Sequence, residues 1–320
     1  MRSTSSGRTA STGTAAPGRP QVTLVRRQAL GTDVVLATTE PELVPEAVMV
    51  LDGELDAIDR SCSRFRPDAE IGLLHDAGGQ WVAVSPLLFE ALTVALGVAE
   101  QTGGAVDPTV GTAMEQLGYD RDFKAVAPDG PPTPAPQPAP GWWTIELDER
   151  GRRARVPDGV TLDLGSSAKA LVADRIAAGV GALGAGVVVS VGGDVSIAGP
   201  APMPAWTIGI GDDSGNGDDV EEVVSMTEGG LATSSTASRA WVRGARRLHH
   251  ILDPRTGDSA LAVWRLVTVA ASSCVQANAA STAAVVWGFE APDRLEGMGL
   301  AARLVGHDGV VVTTPGWPRR

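Results

Sequence analysis

Apolar and polar positions divide this chain into short strand-like runs and a few strongly periodic helices. Val22 to Thr38 is strand-like and is broken at Gly31. From about Pro45 to Arg60 a helix is expected. Its apolar residues Val44, Val48, Leu51, Leu55 and Ile58 step by four and three, which makes one buried stripe. Ser85-Pro86 reads as an N-cap followed by proline at the first helical position, and that helix runs to about Gln101 before Gly103-Gly104. A third helix opens near Ser166 and carries Leu171, Val172, Ile176, Val180 and Leu183. The last main helix spans about Ser273–Trp287. Val187–Val191 is a continuous apolar strand turned by Gly192-Gly193-Asp194. Shorter strands are expected near Trp142–Leu147, Val160–Leu164, Trp206–Ile210, Val220–Ser225, Arg239–Val242 and Leu266–Ala270, with two more near 301–313. Many short strands among a few helices predict an α+β fold, with mostly antiparallel mixed sheets flanked by helices.

Residues 1–20 are Ser, Thr, Gly, Ala, Pro and Arg, with Met1 the only large apolar side chain. Such a segment is expected to be a disordered tail. It holds no apolar stretch of the kind a secretory signal needs, so a cytoplasmic location is expected. Residues 21–315 read as one large domain. Residues 128–140 carry Pro128, Pro131, Pro132, Pro134, Pro136, Pro138 and Pro140, an extended, solvated insertion. Related motifs lie on both sides of it, so it is read as a surface loop inside one domain rather than a linker.

Charge and composition narrow the function. The formal net charge is −12, which argues against a nucleic-acid binder. No apolar run approaches the roughly 20 residues of a membrane span. Cys62 and Cys274 cannot build a disulfide scaffold or a Cys-rich zinc site, and are expected to be buried thiols. Of 26 basic residues only Lys124 and Lys169 are lysines. Lys124 lies in a polar stretch with no assignable role. Lys169 is different: it follows an apolar run, Asp163, Gly165 and two serines that open a helix. Free backbone N–H groups at such a place favour an anion, and a cation one turn in makes sense beside a phosphate.

Three other constellations carry chemistry. Gly103-Gly-Ala-Val-Asp-Pro-Thr109 allows a backbone to approach a ligand closely, with Asp107 held by Pro108. His249-His-Ile-Leu-Asp-Pro-Arg-Thr-Gly257 offers a general base near a turn. Adjacent strand residues face opposite ways, so at most one of the two histidines faces any one site. Cys274, Asn278 and Thr282 share one helix face, and the last two offer hard oxygen ligands suited to Mg²⁺. Both are neutral, so a metal there would need charge from a ligand such as a diphosphate.

In this order and spacing the motifs resemble the ApbE family of FAD:protein FMN transferases, from Leu30-Gly-Thr32 to about Gly288. The resemblance rests on Ser63-Arg-Phe65-Arg-Pro-Asp-Ala-Glu70, Gly104-Ala-Val-Asp-Pro-Thr109, Asp163 through Lys169 to Asp174, Gly192–Asp194, Ala232-Thr-Ser-Ser235, and His250 to Gly257. It implies an enzyme that binds FAD with Mg²⁺ and transfers FMN to a Thr or Ser hydroxyl of an acceptor protein, releasing AMP. By position, Leu30 and Phe65 would flank the isoalloxazine, with Phe65 where the family commonly has Tyr. The backbone of Ala105, Val106 and Asp107, together with Asp163, would hold the cofactor, with Lys169 close by. Ile251 would contact the flavin or ribityl region. The Ser166 carbonyl, Asn278 and Thr282 would face the metal, and His250 would be the catalytic base.

The chain departs from the family where Asn278 replaces the usual metal-binding aspartate, and where Ser166 and Ala170 replace glycines. The same features leave two alternatives, a non-catalytic FAD-binding or storage protein and a pyrophosphatase that hydrolyses FAD to FMN and AMP. A third reading makes the proline-rich loop a ligand for domains that read polyproline helices.

Overall fold

The computed structural model describes residues 22–212 and 220–318. The expected tail at 1–20 lies outside the described residues. The chain opens with a hairpin, β1 (Thr23–Ala29) and β2 (Thr32–Thr38), whose register pairs Ala29 with Thr32. Only Leu30 and Gly31 remain for the turn, and both have positive φ, 52° and 69°. That is the pattern of a primed two-residue turn, which matches strand twist. Glycine adopts it freely; leucine does so only under strain.

Two helices follow, α1 (Val44–Cys62) and the short α2 (Ile71–Asp76), then β3 (Val82–Ala83) and α3 (Pro86–Gln101). In α1 the buried residues Leu51, Leu55 and Ile58 form the expected stripe. The Ser85 hydroxyl accepts the Leu88 N–H at 3.1 Å, so it caps α3 as its position implied. Next come α4 (Gly111–Gln116), β4 (Glu146–Asp148), β5 (Arg153–Arg155) and α5 (Ala168–Gly181). The central strands and ribbons are β6 (Val187–Val191), β7 (Asp194–Ala198), β8 (Trp206–Ile210), β9 (Glu222–Met226), β10 (Gly229–Ser235), β11 (Ala240–Arg243), β12 (Arg246–His249), β13 (Leu252–Asp253), β14 (Asp258–Ser259) and β15 (Trp264–Ala271). The chain closes with α6 (Cys274–Trp287), α7 (Ala291–Gly297), β16 (Ala301–Gly306) and β17 (Val311–Thr313).

An eight-stranded sheet in the order β1-β2-β6-β7-β10-β15-β16-β17 forms the centre. The α+β architecture is as expected, and every ladder of this sheet among the described residues is antiparallel. One face packs on helices: Val34, Leu36, Val187, Val189 and Val191 join residues of α1, α3 and α5. Along the same sheet Val267, Val269, Ala302 and Leu304 join Ala280 and Ala284 of α6. The other face carries Ala37, Val195, Ile197, Leu231 and Leu266, covered by Trp206, Ile210 and Val224 of the β8–β9 ribbon. The alternation of each strand thus feeds two cores. A fully buried Leu such as Leu36 contributes roughly 1.5–3 kcal/mol.

Several expectations are corrected. Residues 160–164 are not a strand. Their N–H groups go to side chains and a distant carbonyl instead of a ladder: Thr161 to Thr112 Oγ1, Leu162 to His75 Nε2 and Asp163 to the Pro108 carbonyl. Trp142–Thr144 is a 3-10 turn, with the strand confined to Glu146–Asp148, because Gly141 turns the chain at φ 101° and Asp107 captures the Trp142 N–H. The third helix begins at Ala168 rather than Ser166 and ends at Gly181, leaving Leu183 exposed. Strand β10 is missing from the sequence pattern, since Gly, Ala, Thr and Ser show little alternation, yet it is central.

Residues 128–140 are exposed or half-buried and are strapped down by backbone hydrogen bonds. Pro128 and Gly130 carbonyls accept the N–H groups of Val242 and Gly244, and Ala139 N–H donates to the Pro254 carbonyl. Gly257 sits so close to Gln137 that an added Cβ would lie 1.7 Å from its carbonyl oxygen.

Candidate active site

One large cavity, about 840 Å³, opens where the β1–β2 turn, the loops before α4 and α5, the β6–β7 turn, β10, the segment after β12 and α6 converge. Such a volume suits a sizeable small molecule. Leu30, Phe65, Ala105, Val106, Asp107, Asp163, Ser166, Lys169, His250, Ile251, Asn278 and Thr282 all line it. Residues spread over most of the chain are therefore brought to one place.

Two glycines, one in a turn and one in a strand, make this convergence possible. A Cβ on Gly192 would lie 2.3 Å from Thr32 Oγ1, so the β6–β7 turn can approach the first hairpin only without a side chain. A Cβ on Gly230 would lie 2.2 Å from the Cys274 nitrogen, which lets α6 lie on β10. Asp174 of α5 then fastens α6, receiving the N–H groups of Cys274 and Val275 at 2.9 and 3.0 Å. Asn278 and Thr282 sit one and two turns further along.

The loop before α4 presents backbone, not carboxylate. Asp107 is buried and spends its oxygens on Thr109 N–H, Thr109 Oγ1 and Trp142 N–H. The Ala105 and Val106 N–H groups go to the Thr102 carbonyl and hydroxyl, so what this loop offers a ligand is chiefly its main-chain carbonyls. Asp163 is similarly committed: Arg64 Nε donates to it at 2.6 Å and Gly165 N–H at 2.7 Å. At this end of the cavity Phe65 is 38% exposed, with the Arg64 guanidinium 4.2 Å from its ring centre. Tyr119 packs beside Phe65 at 5.6 Å and Phe123 beside Tyr119 at 5.8 Å.

The two neighbouring histidines are sorted by their hydrogen bonds. His249 is buried; its Nδ1 accepts the Ile251 N–H and its Nε2 faces the Ala260 carbonyl at 2.9 Å. That pattern fixes a neutral ring with the proton on Nε2. His250 lines the cavity, its backbone N–H goes to the Arg239 carbonyl, and its Nδ1 is buried with no partner. Burial, then the charges of Arg239, Lys169 and His249, hold its pKa well below the usual histidine value. The ring is neutral at pH 7 and able to accept a proton.

The family model described as ApbE family matches residues 30–304. The chain belongs to the ApbE family. An FAD:protein FMN transferase of Treponema pallidum is 30% identical over 258 residues, 71% of this chain and 67% of the relative. That of Rhodobacter capsulatus is 32% identical over 293 residues, 88% of this chain and 55% of the longer relative. The crystal structure of the ApbE protein of Thermotoga maritima superposes with a TM-score of 0.81 at 28% identity, covering 92% of this chain and 97% of that one. The apo flavinyl transferase ApbE of Pseudomonas stutzeri shares the fold, with a TM-score of 0.76 at 21% identity over 94% of this chain and 97% of that one.

The ApbE cavity also contains residues that the motifs left without a role. Arg64, Tyr119, Phe123, Asp194, Ser234 and Arg239 line it. So does Lys124, whose Nζ donates to Gln28 Oε1 at 3.0 Å. Sequence assigned Lys124 no place; the fold does, by laying its segment against the first hairpin. Arg64 lies inside the Ser63–Glu70 motif and Tyr119 in the polar run Gly118-Tyr-Asp-Arg-Asp122, and no signal in the sequence gave either a role.

Three or more His, Cys, Asp or Glu side chains that would hold a metal do not cluster among the described residues. The fit to Mg²⁺ therefore rests on neutral oxygens. Asn278 is 6% exposed; its Nδ2 donates to Asp194 at 2.8 Å and its Oδ1 is buried without a partner. Thr282 Oγ1 is held 3.2 Å from Ser234 Oγ. An orphaned amide oxygen and a fixed hydroxyl on one cavity wall are hard donors of the kind Mg²⁺ takes.

Proposed function

We propose that this chain is an FAD:protein FMN transferase, moving FMN from FAD to a Thr or Ser hydroxyl of an acceptor protein with release of AMP. The observation that carries the reading is the convergence of the candidate site residues, from Leu30 to Thr282, on one cavity in a chain of the ApbE family. The relatives' names supply the transfer of FMN from FAD to a protein.

Within that reading the flavin lies between Leu30 and Phe65, held by the Ala105–Asp107 backbone, with Ile251 beside it. Lys169 faces the diphosphate. His250, neutral at pH 7, takes the proton from the acceptor hydroxyl. That oxygen bonds to the FMN phosphorus as the P–O bond to AMP breaks, and AMP leaves with the electron pair. A positioned base of this type is worth roughly 10²–10⁴-fold in rate. The Ser166 carbonyl, Asn278 and Thr282 would hold a Mg²⁺ ion. When bound, it supplies charge stabilisation at the diphosphate.

Incubation with FAD, Mg²⁺ and an acceptor domain should leave flavin fluorescence on the denatured acceptor band, and chelator should abolish it. Tight FAD binding with no covalent band across several acceptors would overturn the reading. AMP and FMN appearing without acceptor would identify hydrolysis instead.

A further inference from the structure

In the transferase reading the cation position at Asn278 has no carboxylate of its own, and the cavity shows where one stands. Asp194 begins β7 directly after the Gly192-Gly193 turn and is 2% exposed. Its Oδ1 accepts the Asn278 amide; its Oδ2 is buried with no hydrogen bond, 3.3 Å from Lys169 Nζ. Other carboxylates nearby are committed. Asp107 and Asp163 are spent on the loop and on Arg64, and Asp212 is paired with Arg265 and Ser235. Asp253, close in sequence to His250, is tied to Arg255 at 2.8 Å.

A buried carboxylate oxygen without a hydrogen bond is expensive unless something charged meets it. Lys169 supplies charge but makes no hydrogen bond to this oxygen. The Asn278 amide is oriented by Asp194, and this leaves its own oxygen equally unpartnered. An unpartnered amide oxygen and a carboxylate oxygen met only by an ammonium, on joined side chains lining one cavity, are what a cation would satisfy together.

We propose that Asp194 supplies the negative charge of the divalent-cation site, with Asn278 and Asp194 acting as a split replacement for a single aspartate. The inference rests on the transferase reading, since that reading brings the cation. It also gives Lys169 two partners in turn. Without cation the ammonium neutralises Asp194; with cation it is released toward the diphosphate.

The test uses the full chain, Mn²⁺ as the reporting ion and FAD present, with free Mn²⁺ measured by electron paramagnetic resonance. Asp194→Asn should weaken Mn²⁺ binding by about tenfold or more. Asp194→Asn combined with Asn278→Asp should restore most of it, because the carboxylate has only moved across the pair. Unchanged affinity in Asp194→Asn, or a folded double variant that stays weak, would overturn the inference. If Asp194→Asn does not fold, Asn278→Asp alone decides. Two facing carboxylates should make its melting temperature rise more on adding Mn²⁺ than the unaltered chain's does; an equal or smaller rise sinks the idea. An unaltered chain that takes up no Mn²⁺ with FAD present would instead sink the metal-dependent transferase reading itself.

Discussion

Asp174 on α5 receives the backbone N–H of Cys274 at 2.9 Å, so the helix that carries Lys169 also caps the helix that carries Asn278. Asp174 further accepts the Val275 N–H and the Ser196 hydroxyl. One carboxylate thus ties α5, α6 and β7 together beneath the cavity. Asp174→Ala strips the acceptor from two donors at the α6 N-terminus and leaves them buried. A loss of about 1–3 kcal/mol is expected, read as a lower melting temperature, together with a raised Mg²⁺ requirement in the transfer assay. Normal stability and normal metal dependence would show that α6 holds its place without this cap.

His250 and His249 should separate cleanly on substitution. His250→Ala removes the proposed base from the cavity; a fall of roughly 10²–10⁴-fold in kcat with little change in FAD affinity is expected. His249→Ala removes a ring held by the Ala260 carbonyl and the Ile251 N–H, so its main effect should be on stability. Equal losses of kcat with equal melting temperatures would contradict this division of roles.

Histidine burial sets the acid side of the stability profile. His75, His249 and His250 all have pKa values lowered by burial. Each is neutral in the fold where an unfolded histidine would take a proton below about pH 6.5. The unfolded chain therefore binds more protons there, and stability falls as pH drops below about 6.5 and is flat above it from these groups. The slope reaches at most about 1.4 kcal/mol per pH unit for each ring. Urea denaturation between about pH 7.5 and 5 checks the sign, and His75→Gln should flatten the slope.

Leu30 exchanges backbone strain for contact. Its φ of 52° in the β1–β2 turn is unfavourable for a branched side chain, yet the side chain lines the cavity. Leu30→Gly should relieve about 1 kcal/mol of strain while weakening FAD binding. A variant that is both less stable and equally tight for FAD would refute this account of the turn.

Much of the cavity lining was legible in the sequence because its parts are local. Gly103–Thr109, Asp163–Lys169 and His250–Gly257 are each short runs whose residue types suit one task. Two things were not. Strand β10 lacks apolar alternation because Ser234 faces α6 and its small neighbours let that helix approach; closeness replaced hydrophobicity. The segment at 160–164 looked like a strand because its residues are apolar, but its backbone partners are His75, Thr112 and Pro108, which only tertiary structure supplies. The carboxylate beside Asn278 was hidden for a similar reason. Asp194 lies 84 positions away, and nothing in spacing pairs a strand start with a helix interior.

Lys124 and Lys169 are the only lysines of the chain, and both stand on the wall of the same cavity. Arginine everywhere else leaves the protein surface almost without side-chain primary amines. Reagents that acylate or reductively alkylate amines therefore act on this molecule as labels directed to its pocket, with the chain's α-amino group as the remaining background. A bound ligand that covers either lysine becomes measurable by simple mass shift, whatever protein accepts the flavin.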